Sequence, residues 1–211
     1  MNLSRDCVRM AATHELRRKA RMIRHALVLG AIAGIAAIVS AVPAGAHRVY
    51  PFGGVYPHTP GQYLYLPYAV ITQGQPATYH TAIDDAMRAW YDTPTRVWPY
   101  RGDPQQTKAD FYMISTQDTY WGLAVNRPCS YSGCAYKWTD LYLNRRTMDR
   151  ESVFTAKAIV VHEVGHAVGL SHVCGEASCP AGSATTIMQW GRLNYNTPQN
   201  HDINDVNAIY R

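Results

Sequence analysis

The residues best suited to chemistry are three histidines and a glutamate in one short stretch. They read His162-Glu163-Val164-Gly165-His166-Ala167-Val168-Gly169-Leu170-Ser171-His172, the pattern HExxHxxGxxH. If the first half is helical, positions 162 and 166 share a face about 6 Å apart along the axis, and two imidazoles can close on one cation. Glu163 projects about 100° further round, within reach of a metal-bound water without being obliged to ligate. Gly169 can adopt positive φ, end the helix and turn the chain so that His172 arrives as a third ligand. Three imidazoles suit zinc, and three protein ligands leave the fourth tetrahedral position open to water, unlike a closed structural site. Water on such a zinc has its pKa lowered towards about 7, and Glu163 stands ready to take its proton and pass it to a leaving amine. The chemistry implied is amide hydrolysis without a covalent acyl-enzyme. Two plainer readings stand beside it: a buried helix with hydrogen-bonded histidines, and a retired protease scaffold kept as a zinc-binding module. Neither requires Glu163.

The extended motif resembles that of the metzincin zinc metalloproteases, which also carry a methionine turn beneath the zinc. In Thr186-Ile187-Met188-Gln189-Trp190, Met188 is the matching residue. The resemblance implies one catalytic zinc on His162, His166 and His172, Glu163 as general base, structural support from Gly169 and Met188, and protein or peptide substrates. In some metzincins a tyrosine two residues after that methionine approaches the metal. Trp190 holds the position here, so no tyrosine ligand is carried over, although Tyr195 is near in sequence. Within the clan the chain is similar to the matrixins, where residues 191–195 would border the pocket accepting the side chain after the cut. Calcium is common in matrixins. Asp103, Asp110, Asp118 and Asp140 are candidates for it, with solvated loop aspartates as the plainer reading and no EF-hand loop present.

The elements that must position these residues follow from periodicity. A first strand is expected over 63–71, then a helix over 78–91 with Tyr79, Ile83, Ala86, Met87 and Trp90 inward and Asp84, Asp85 and Arg88 outward. Short strands over 95–100 and 109–115 flank a Gly-Asp-Pro turn, and extended pieces follow at 122–125 and 137–144. The zinc helix begins near Ser152, with Val153, Ala156, Ile159 and Val160 as its apolar flank. A closing helix carries Ile203, Val206, Ile209 and Tyr210 on one stripe, with Asp202 as its N-cap. This order gives an α+β domain over 63–211: a twisted mixed sheet with an N-terminal helix, a zinc-binding active-site helix and a C-terminal helix, as in a matrixin-like catalytic domain.

Charge and cysteines place the domain in a compartment. Of the formal charge of +5, all sits in residues 1–46, with seven Lys/Arg against two Asp/Glu; residues 47–211 hold thirteen of each. No basic patch is left to imply nucleic acid or anionic membrane as a partner, and a monomer is expected. Residues 1–46 read as a signal peptide: a basic region (Arg17, Arg18, Lys19, Arg21, Arg24), an apolar run over 26–42, and Ala44-Gly45-Ala46 before a mature start at His47. A run of 17 residues also reaches the lower edge of a membrane span, so an uncleaved anchor with the domain outside is the alternative to secretion. Residues 47–62, rich in proline and glycine, read as an extended N-terminal segment. Cys7 leaves with the leader. Cys129, Cys134, Cys174 and Cys179 allow three connectivities; equal spacing favours 129 with 134 and 174 with 179, and a four-cysteine structural zinc is the rival reading.

Overall fold

The sheet begins where tyrosines alternate with leucines. In β1 (Leu64–Val70) Leu64 and Leu66 are buried while Tyr65 faces outward, the two-residue period of a strand; from Pro67 to Ala69 every residue is buried, so its second half is covered on both faces. The computed structural model describes residue 56 and residues 61–128, 136–173, 185–191 and 193–210, all within the unit Pro43–Arg211. The leader, most of the extended N-terminal segment and all four mature-chain cysteines lie outside the described residues. Among the described residues no helix is long and apolar enough to cross a membrane.

Five strands form one mixed sheet in the order β2-β1-β3-β5-β4. β2 (Val97–Arg101), β1, β3 (Ala109–Ile114) and β5 (Tyr136–Asn144) run parallel, and β4 (Gly122–Pro128) lies antiparallel to β5 at the edge. Parallel pairing needs a crossover between β1 and β2, and α1 (Ala77–Tyr91) supplies it. Tyr79, Ile83, Ala86, Met87 and Trp90 are buried as the helical period predicts. They join Leu66, Phe111, Leu141 and the helix that carries the histidine motif in a single core.

The helix that carries the histidine motif, α3 (Val153–Ala167), starts at Ser152, whose hydroxyl accepts the Thr155 N–H at 3.1 Å. Its first turn overhangs the core: Val153 is 75% exposed, so only the later part of the expected stripe, from Ile159 onward, is buried. From Ala158 to Ala167 every residue is covered. Trp90 Nε1 donates to Val161 O at 3.2 Å, tying α1 to α3 one residue before His162.

Three further differences have local causes. Between β5 and α3 a single turn, α2 (Arg145–Met148), forms because Asn144 Oδ1 accepts the Arg146 N–H while its amide reaches Asp118 O and Tyr120 O. The closing helix, α4 (Asn200–Ile209), starts before Asp202, which is therefore not its N-cap. Asp202 sits at the third helical position, fully buried, and accepts the Gln199 N–H at 2.8 Å. Tyr56, in the segment read only as extended, is itself fully buried: its hydroxyl meets Thr139 Oγ1 at 2.6 Å and Lys108 O at 2.9 Å.

Candidate metal centre

α3 presents His162 and His166 one turn apart, and both are under a tenth exposed. The helix then ends as the glycine forecasts. Gly169 has φ +102°, its N–H bonds His166 O at 3.1 Å, and Leu170 N–H reaches back to Gly165 O at 2.9 Å. That pair of bonds is a Schellman stop, and it reverses the chain within two residues. His172 arrives with Nε2 at 3.0 Å from His162 Nε2 and 3.1 Å from His166 Nε2.

The other ring nitrogens decide which way the lone pairs face. His162 Nδ1 lies 2.7 Å from Ile187 O and His166 Nδ1 lies 2.9 Å from Leu170 O. A carbonyl only accepts, so both Nδ1 atoms carry the proton and both Nε2 atoms point bare lone pairs inward. Burial, with the neighbouring His172, pushes His162 down to about 4; burial and the adjoining histidines push His166 well below its ordinary value; burial alone takes His172 to about 4. All three are neutral imidazoles at neutral pH, the form that binds metal. Nitrogens bound at 2.0–2.1 Å around a tetrahedral zinc stand about 3.3 Å apart, close to the spacings found, so the donor set fits that ion. Among the described residues His162, His166 and His172 are the one group with the geometry for a metal ion.

Glu163 is buried beside them, and burial raises its carboxyl to about 8 against the lowering effect of a bond from the Ala124 N–H. The edge strand β4 is pressed against it: a Cβ built on Gly122 would stand 2.6 Å from both Glu163 Cγ and Oε1. Met188 is fully buried as well, its Sδ 2.5 Å from where a Cβ on residue 165 would stand, which places the thioether against α3 at Gly165.

The methionine turn is held by a carboxylate from the last helix. Asp202 accepts the Ile187 N–H at 3.1 Å and the Thr186 hydroxyl, and Thr186 Oγ1 in turn accepts the Met188 N–H at 2.9 Å. Met188 O receives Val173 N–H at 3.0 Å, one residue past the third histidine. Asn126 Nδ2 donates to His166 O at 3.3 Å and Tyr210 hydroxyl to Val168 O at 3.2 Å, fastening the helix end from β4 and α4.

Every histidine of the motif, together with Glu163, Gly169 and Met188, is thus gathered at one place. Gly122, Ala124, Trp190 and the true role of Asp202 carry no local signal, because each acts across the fold rather than along the chain. The calcium candidates do not assemble. Asp103 and Asp118 are exposed and bonded within their own turns. Asp110 and Asp140 are not loop aspartates but buried register partners on β3 and β5, with Thr107 hydroxyl on the first and Arg127 Nη2 2.8 Å from the second.

No family model matches the chain, and no curated protein matches it in sequence. Among solved structures it is similar to high choriolytic enzyme 1, a hatching-enzyme zinc-protease from the medaka fish Oryzias latipes. The TM-score is 0.48 at 14% identity, over 78% of this chain and 98% of that one. A likeness of that degree carries no functional weight by itself.

Proposed function

We propose that the chain is a zinc-dependent endopeptidase of metzincin type, secreted and monomeric, that hydrolyses peptide bonds in protein substrates. The observation that carries this reading is the convergence of three neutral imidazoles, Nε2 atoms 3.0 and 3.1 Å apart, with the buried carboxylate of Glu163 next in sequence to the first of them. His162, His166 and His172 would hold the ion, which supplies Lewis acidity towards a scissile carbonyl and a water of lowered pKa.

The chain's own groups do the rest. Positive charge held at the three Nε2 atoms favours the ionised form of Glu163, whose oxygen then accepts a proton from water and returns it to the departing amine. The Ala124 N–H and the bare Cα of Gly122 keep that carboxylate in one orientation. Among the described residues β4 ends the sheet order, and an extended peptide pairing along that edge would lie across the site, main chain to main chain. The test is hydrolysis of casein and of a peptide library by the purified protein, with and without a chelator and with zinc restored. Cleavage that a chelator abolishes and zinc restores supports the reading; a zinc-loaded protein that cleaves no member of a broad library contradicts it.

A further inference from the structure

We propose that Trp190 is the positioning residue for His172, holding the third ligand as main-chain carbonyls hold the other two; this rests on the zinc reading above. A ligand's ring must be fixed in rotation for its lone pair to meet the ion, and a partner on the second nitrogen ordinarily does this. His162 has Ile187 O and His166 has Leu170 O. Both of those rings also sit on a covered helix. His172 lies past the Gly169 turn, more exposed than either; its Nε2 faces the other two Nε2 atoms, and among the described residues no carbonyl holds its ring in the same way.

What meets its ring is indole. Trp190 and His172 pack edge to face, centroids 4.6 Å apart and planes at 86°. The geometry lies within the range favoured by the ring quadrupoles. Indole is a donor only and cannot ligate zinc, so its part is orientation rather than coordination. The placement also explains how one short turn serves the whole centre. Ile187 holds His162 through its carbonyl, Met188 lies against α3, its carbonyl receives Val173 N–H, and Trp190 closes on His172. Trp190 is 43% exposed, so the core does not require it, and its removal should leave the fold intact.

The experiment compares zinc affinity of the full chain by chelator competition in wild type, Trp190→Phe and Trp190→Leu, with the visible absorption of the cobalt-substituted proteins as a second readout. Leucine keeps apolar bulk and removes the ring; phenylalanine keeps an aromatic edge and face. The expected result is that Trp190→Leu binds zinc about tenfold or more weakly and shifts the cobalt bands, with the melting temperature of the metal-free protein unchanged, while Trp190→Phe stays near wild type. Wild-type affinity and an unshifted cobalt spectrum in Trp190→Leu would overturn the proposal, as would Trp190→Phe failing as badly as leucine. Hydrolysis plays no part in this readout. A wild type that binds zinc tightly yet cleaves nothing would sink the peptidase and leave this inference standing, and an undisturbed Trp190→Leu site in an active enzyme would do the reverse.

Discussion

Glu163 lies directly over the Cα of Gly122: a methyl group at residue 122 would stand 2.6 Å from the carboxylate's Oε1 and 2.8 Å from its Cδ. The strand can approach the glutamate this closely only because it has no side chain there. Gly122→Ala should displace Glu163 while leaving the three histidines alone. Zinc stoichiometry is expected to hold, and kcat/KM to fall on the order of 100-fold, the usual effect of misplacing a reacting group by about 1 Å. Equal activity in the alanine variant would mean that the carboxylate need not sit where it does.

Asp202 ties the last helix to the methionine turn through the Ile187 N–H, the Thr186 hydroxyl and the Gln199 N–H. Asp202→Ala leaves these donors buried without their acceptor. We expect a loss of about 2–4 kcal/mol by denaturant titration. For a domain of this size that is a fall of about 5–15 °C in Tm. Zinc affinity should drop with it, since Ile187 O is the partner of His162 Nδ1. A variant as stable as wild type would show that the turn is held by other means.

Much of the centre is legible in the sequence because its geometry is local. The helical period places His162 and His166 on one face, and a glycine three residues later is enough to forecast the reversal that delivers His172. Met188 is legible from order alone. The remainder is set by distant pairing. Gly122 and Ala124 reach Glu163 only because β4 is laid against β5 in one particular register, and no spacing within 122–125 signals that. Asp202 looks like an N-cap because it precedes an apolar stripe, yet the helix begins earlier and turns the carboxylate inward. Asp110 and Asp140 read as solvated because aspartate is rarely buried, and Arg127 at 2.8 Å is what makes Asp140 an exception.

Alkaline stability offers a check on the core away from the three histidines. Tyr56 and Tyr210 are fully buried, and burial raises both hydroxyls above the ordinary value of 10.0. A raised folded-state value means that the neutral form is favoured by folding. The contribution is therefore complete below pH 10 and is lost as pH climbs from there towards the folded-state values, by about 1.4 kcal/mol per pH unit for each group. Absorbance at the tyrosinate band should rise in two stages, exposed tyrosines first and buried ones together with unfolding. A single smooth titration of all 15 tyrosines near pH 10 would contradict the buried placement.

The most direct measurement is on Glu163→Gln, with metal content and peptide hydrolysis determined on the same preparation. Glutamine keeps the size and the burial but cannot accept the proton. The expected result is one zinc per chain, as in wild type, with hydrolysis reduced by about 10²- to 10⁴-fold, the range a positioned base contributes. Hydrolysis at the wild-type rate in that zinc-loaded variant would contradict the central assignment.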